Sequence, residues 1–292
     1  MDSLLRQWQA AGREFRDEGR SIFYRDEGAG PVLLCMHGYP TASWDWRRVW
    51  PRLVQRYRLI AVDMLGFGFS DKPRDISYTI AAQATLHEQL LASLGIEDVH
   101  VLAHDYGDTV TQELMARQLE RIQHGGSGLR LRTVSLLNGG LFPESHHARP
   151  IQTLLRSPLG PLLVRALNER AFRRSFCAIF GADTQPDDDE LSRCWALINH
   201  NGGRLNMGRL LHYIDERKRH RQRWVSALVE APMPVQLIVG LDDPVSGAHM
   251  AERYRELVPQ GTVIGLPGIG HYPQWEAAER VASLVECFAR ID

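Results

Sequence analysis

Short apolar runs alternate along the chain with longer stretches of helical periodicity, and this alternation predicts βαβ units around a mostly parallel sheet. Ser21–Arg25, Val32–Met36, Leu59–Val62, Val99–Ala103, Thr133–Leu137, Val235–Val239 and Thr262–Leu266 read as strands. Between them Trp44–Val54, Ile80–Leu94 (closed by Gly95), Asp108–Leu119, Gly247–Leu257 and Glu276–Phe288 carry helical patterns. His124-Gly125-Gly126-Ser127-Gly128 reads as a flexible loop.

After Asn138-Gly139-Gly140 the pattern changes. From about Leu154 to Leu228 there are helical segments and breakers, among them Pro158, Pro161, Gly181, Pro186 and Gly202-Gly203, and no strand pattern. The expected organisation is an α/β core over 1–144, a helical lid over 145–230 and the rest of the core over 231–292. No internal repeat or low-complexity tract interrupts it.

Composition acts mainly by exclusion. The 292 residues are 44% hydrophobic and 24% charged, which suits an ordinary globular protein with a sizeable core. A net charge of −1 gives no global field for nucleic acid, so any polyanion binding must be local. Cys35, Cys177, Cys194 and Cys287 lack metal-ligand spacing and read as reduced, structural residues. Charges throughout Met1–Arg20 interrupt any signal-peptide core, and no apolar stretch approaches the ~20 residues of a membrane span. A cytoplasmic protein without metal or organic cofactor is expected, its partners being a small apolar molecule and water. The oligomeric state is left open.

The chemistry centres on Asp105. In Val99-His100-Val101-Leu102-Ala103-His104-Asp105-Tyr106-Gly107-Asp108 an apolar strand runs into a turn, with small residues two before and two after Asp105, and then into a helix start. That is the shape of a nucleophile elbow. A carboxylate there can attack carbon and form an ester on the enzyme. Asp243 follows the strand Val235–Val239, and His271 follows Thr262–Leu266. Loops at the carboxyl ends of parallel strands converge, and the order nucleophile, acid, histidine is that of the α/β-hydrolase fold.

From about Ser21 onward the chain resembles the α/β-hydrolase superfamily, in particular the epoxide hydrolase and haloalkane dehalogenase group with an aspartate nucleophile. His37-Gly38-Tyr39-Pro40 is similar to that group's HGxP oxyanion loop, and Asp63-Met64-Leu65-Gly66-Phe67-Gly68-Phe69-Ser70-Asp71-Lys72-Pro73 to its D-x-x-G-x-G-x-S-D-x-P segment. Ser70–Pro73, His104–Asp108 and Asn138–Glu144 look most like the mesoderm-specific transcript protein family. The resemblance implies that Asp105 attacks an electrophilic carbon and that His271, oriented by Asp243, activates water to hydrolyse the ester. Backbone N–H groups of Tyr39 and Tyr106 are the implied oxyanion donors. The related G-x-x-D pattern selects Asp243 over Asp242, which becomes a turn residue.

Other residues are weighed against ordinary roles. His37 and His104 read as supports of their turns, Asp63 and Asp71 as loop ties, and Asp108 as a first-turn acid favoured by the helix dipole. His146-His147 reads as a surface pair rather than a metal site. The run Arg217-Lys218-Arg219-His220-Arg221-Gln222-Arg223 reads as a solvated helix face, with a docking patch as the alternative. Trp195 and Tyr213 either line the pocket or pack the lid. Halide release in the dehalogenases uses N–H donors, commonly an indole just after the nucleophile, whereas here that residue is Tyr106. An aromatic Tyr39 is closer to the epoxide hydrolases, where lid tyrosines protonate the departing alkoxide. Yet Gly208 occupies the place of the ring-opening tyrosine in Leu205-Asn206-Met207-Gly208. Tyr213, five residues on, is about 140° round a continuous helix, while His212 shares the face of Gly208. The expected activity is epoxide hydrolase-like, with dehalogenation, cofactor-free oxygenation or ligand binding without turnover as alternatives.

Overall fold

The computed structural model describes residues 2–147 and 149–289. Its strands are β1 (Arg13–Asp17), β2 (Arg20–Glu27), β3 (Val32–Met36), β4 (Arg58–Val62), β5 (Asp98–His104), β6 (Arg130–Leu137), β7 (Val235–Gly240) and β8 (Thr262–Leu266). They form one sheet in the order β1-β2-β4-β3-β5-β6-β7-β8. The pairings of β1 with β2 and of β2 with β4 are antiparallel, and all the others are parallel. This is the expected α/β class, a mostly parallel sheet flanked by helices.

Alternate side chains of the central strands feed cores on both faces, which is why these strands show continuous apolar runs. Leu34 and Met36 of β3 join one buried cluster and Leu33 and Cys35 the other. β1 escaped the sequence pattern because Arg13-Glu14-Phe15-Arg16-Asp17 is mostly charged. It is an exposed edge strand, held to β2 through a turn at Glu18 (φ 48°) and Gly19 (φ 81°). The predicted helix Trp44–Val54 is split into a 3-10 turn, Ser43–Arg48, and a short α-helix, Trp50–Leu53, with Pro51 in its first turn.

Between β6 and β7 the described residues form helices and no strand, from Pro150–Leu155 to Arg221–Val229. These inserted helices pack over the carboxyl ends of the parallel strands, where β5, β7 and β8 deliver their loops. Among the described residues no helix is long and apolar enough to cross a membrane.

Candidate active site

Asp105 ends β5 and starts the helix Tyr106–His124, with φ 46° and ψ −99°. A non-glycine residue held there costs on the order of 1–3 kcal/mol, so its surroundings must fix it. Its N–H donates to the Leu137 carbonyl at 3.1 Å, and the Gly107 N–H donates to the His37 carbonyl at 3.0 Å. A Cβ on Gly107 would lie 2.2 Å from the Met36 carbonyl oxygen, so only glycine lets the helix approach β3 this closely.

The Tyr39 N–H donates to Asp105 Oδ2 at 3.1 Å. Tyr106 follows as the first residue of its helix, where N–H groups have no intrahelical acceptor. His37 braces the Tyr39 loop: Nδ1–H donates to Gly38 O at 2.9 Å, and Nε2 accepts the Met64 N–H at 3.1 Å. Burial pushes this imidazole down to about 4, which keeps it neutral.

His271 Nδ1–H donates to Asp243 Oδ2 at 2.7 Å. The other bonds to Asp243 come from the Val245 N–H (2.8 Å), the Ser246 N–H (3.1 Å) and hydroxyl (3.0 Å), and Asn138 Nδ2 (2.9 Å). Asp242 instead accepts the Gly268 N–H at 3.2 Å on the exposed side of the turn. Burial alone would push His271 down, but the charge and hydrogen bond of Asp243, with the charge of Asp105, more than offset it and hold the imidazole up at about 9. For Asp243 burial acts upward, and His271 and the donors outweigh it, so its carboxyl lies below the ordinary range. His104 Nε2–H donates to the His271 carbonyl at 2.8 Å and so ties two of these turns together.

Arg217 is the residue that the sequence pattern concealed. It is 2% exposed, whereas Lys218 and Arg219 beside it face solvent. Its Nη2 donates to the Asp105 carbonyl at 3.1 Å and lies 3.6 Å from Asp105 Oδ1; its Nε donates to Thr109 Oγ1 at 2.8 Å. The basic run is therefore not one solvated face: Arg221 pairs with Glu144, and Arg223 with Glu113 and Glu120. The available signal was Tyr213, one helical turn before Arg217, whose ring lies 4.5 Å under the guanidinium.

His146 also departs from expectation. Its ring nitrogens are buried without a hydrogen-bond partner among the described residues, and burial with the Arg217 charge pushes it down to about 3. His147 stacks on His249 at 4.1 Å. Asp108 lies in the first helical turn as expected but is fully buried, and burial plus the Asp105 charge raise its carboxyl well above the usual range. Asp63 accepts the Ser43 and Phe69 N–H groups, and Asp71 the Ser21 N–H, as loop ties.

A cavity of about 860 Å³ opens over the site, with Tyr39, Asp105 and His271 in its wall. Tyr213 is buried and is not among the described lining residues; its ring lies 4.8 Å from that of Tyr106 and 6.5 Å from that of Tyr39. Burial, reinforced by the charge of Asp105, raises the Tyr213 phenol above the ordinary value. No continuous helix joins Gly208 to Tyr213, so the 140° offset does not apply. Met207–Leu210 and Tyr213–Arg219 are separate helices, and the break turns Tyr213 inward. His212 faces away instead: its side chain is 60% exposed, with Nδ1 3.7 Å from Asp215. Trp195 stands behind the cavity wall, stacked on Phe172 at 5.5 Å. Gly208 has no room for a side chain, since its Cβ would lie 2.6 Å from the Leu155 carbonyl oxygen.

A mostly parallel sheet with an elbow after β5, and an acid and a histidine in the loops after β7 and β8, defines the α/β-hydrolase class. The chain belongs to the alpha/beta hydrolase fold family, whose model matches residues 31–278. It is similar to the mesoderm-specific transcript protein of Mus musculus, 41% identical over 287 residues, 94% of this chain and 85% of that protein. It is also similar to LipZ of Mycobacterium tuberculosis, 40% identical over 279 residues, 95% of each chain. Among solved structures, haloalkane dehalogenase DbeA from Bradyrhizobium elkani superposes with a TM-score of 0.76 at 24% identity, covering 96% of this chain and 99% of that one. At that identity the likeness is one of fold.

Proposed function

We propose that the protein is a cofactor-independent hydrolase that works through an alkyl ester on Asp105, with epoxides as the favoured substrate class. The observation that carries this reading is the Asp105 carboxylate itself: Oδ2 is held by the Tyr39 N–H, while Oδ1 is the oxygen left to attack. His271, held by Asp243, lines the same cavity as Asp105. The inserted helices serve as a lid that keeps bulk water from the ester.

In the first half Asp105 Oδ1 attacks an epoxide carbon, the ring C–O bond breaks, and the alkoxide takes the Tyr213 hydroxyl proton. His271 then removes a proton from water, which attacks the Asp105 carbonyl carbon. The tetrahedral oxyanion develops on Oδ2 beside the N–H groups of Tyr39 and Tyr106. Collapse expels the diol oxygen, which takes the proton held by His271, and the new Asp105 carboxylic acid returns its proton to Tyr213. One epoxide and one water thus become one diol. Forming the ester also removes the Asp105 charge that helps hold His271 up, so its resting proton passes to solvent before the imidazole acts as base and is regained once the Asp105 carboxylate is restored.

The test is intact-mass analysis of His271→Ala exposed to epoxides, haloalkanes, lactones and aryl esters, with Asp105→Asn as control. A gain of one whole epoxide supports the reading. A gain of an alkyl group without its halogen replaces it with dehalogenation, and no adduct on a folded variant sinks the alkyl-enzyme route.

A further inference from the structure

The cavity is large for a small neutral electrophile, and its charge is uneven. Its volume of about 860 Å³ lies towards the top of the roughly 300–1,000 Å³ range of pockets that enclose drug-sized ligands. Leu155, Leu167, Phe172, Phe176, Ile179 and Met207 give it an apolar wall. Arg149, Arg170 and Arg174 line it too, and Asp105 is the sole carboxylate among the described lining residues. The deep Asp105 carboxylate already faces the Arg217 guanidinium, whereas Arg170 and Arg174 are exposed, so the positive charge towards the mouth is the uneven part.

The helix Glu169–Cys177 produces this asymmetry. Arg170 and Arg174 are one turn apart and share the cavity-lining face with Ala171 and Ser175. Arg173 falls on another face, where it binds Glu169 at 2.7 Å and Asp188 at 2.6 Å. The acids near this helix therefore serve Arg173. Arg149, Arg170 and Arg174 make no ion pair among the described residues.

The geometry points to an amphiphilic substrate: one apolar chain along the wall, with an anionic head, a carboxylate or a phosphate monoester, at the three arginines. The electrophilic carbon then lies along the chain at Asp105. This names the substrate class of the site proposed above and rests on that reading for the reaction, not for the binding.

Calorimetry of the full chain with decanoate, decyl phosphate and decanol, each below its micellar concentration, tests it. At least one anion is expected to bind about tenfold or more tighter than decanol, as several rim charges acting together can supply; whichever anion binds tighter identifies the head. Shortening the chain is expected to weaken binding about fourfold per methylene. The triple variant R149Q/R170Q/R174Q should lose the preference and keep decanol binding. Decanol binding as tightly as both anions, or a triple variant that retains the preference, overturns the proposal. So does sedimentation with phosphatidylglycerol vesicles without discrimination among the monomeric probes, since the arginines would then serve a membrane surface. None of the three probes offers Asp105 an epoxide or halide carbon. Anion preference without any ester on His271→Ala would therefore sink the reaction reading and leave this one standing.

Discussion

Arg217 donates to the backbone carbonyl of Asp105 at 3.1 Å while its guanidinium stands 3.6 Å from the same residue's Oδ1. One buried cation thus braces the strained turn and faces the carboxylate oxygen that Tyr39 leaves free. Arg217→Lys keeps the charge but loses the fork that spans Asp105 and Thr109. It is expected to slow ester formation about 10- to 100-fold, as misplacement of a reacting group does. Arg217→Met removes the buried cation beside Asp105 and is expected to cost about 3–5 kcal/mol of stability. Quenched-flow mass analysis and denaturant titration check both. A lysine variant with wild-type ester formation would reduce Arg217 to packing.

Tyr213 and Gly208 form a contrasting pair. Tyr213→Phe removes the proposed proton donor and is expected to slow epoxide opening about 10²–10⁴-fold while leaving hydrolysis of a preformed ester unchanged. Gly208→Tyr would supply the tyrosine that the resemblance to epoxide hydrolases leads one to expect there, yet its Cβ would lie 2.6 Å from the Leu155 carbonyl oxygen. It should lose about 1–3 kcal/mol of stability and gain no activity. Single-turnover rates and thermal melts distinguish these outcomes, and a faster, stable Gly208→Tyr would contradict the packing argument.

The pH behaviour of His271 follows from its neighbours. In the folded protein it is held up at about 9, so its contribution to stability is full below the unfolded value of 6.5 and is lost as pH rises through 9. His271→Gln should flatten the melting temperature across that window. Asp105→Asn removes one of the charges that raise the imidazole and should shift its NMR titration midpoint downward. An unmoved midpoint would show that Asp105 has no electrostatic hold on His271.

Asn138 acts through Asp243. Its side chain donates to Asp243 Oδ2 at 2.9 Å and accepts the Gly240 N–H at 2.8 Å. Asn138→Ala is expected to leave ester formation near wild type and to slow ester hydrolysis about tenfold or more, as loss of a partner that orients a working side chain does. Asn138→Asp would set a second carboxylate against Asp243 and should raise the His271 midpoint further. Equal slowing of both half-reactions would instead indicate a general loss of packing.

Much of this was local and therefore legible in the chain. β3, β5 and β7 are buried on both faces and so read as apolar runs, and the elbow is a short contiguous pattern of small residues around Asp105. Asp105, Asp243 and His271 could be located because each lies in the turn or loop that follows a strand, β5, β7 and β8 respectively. The charged edge strand β1 carried no such signal, since only one of its neighbours is a strand and most of its side chains face water.

What only tertiary structure decided lies in the inserted helices. Arg217 looked like one member of a basic run because sequence spacing does not say which helix face meets another element. It became Asp105's partner when its helix packed against the elbow, 112 residues away in sequence. The break between Leu210 and Tyr213 likewise replaced a continuous helical angle with a turn, sending Tyr213 inward and His212 out to Asp215. The sequence by itself determined the sheet, the elbow and the order of its chemical residues, because hydrophobic period and turn chemistry are local. Which cation and phenol pack beside that elbow, and which arginines line the cavity above it, was decided by long-range packing, because only contact between distant elements sets burial and charge pairing.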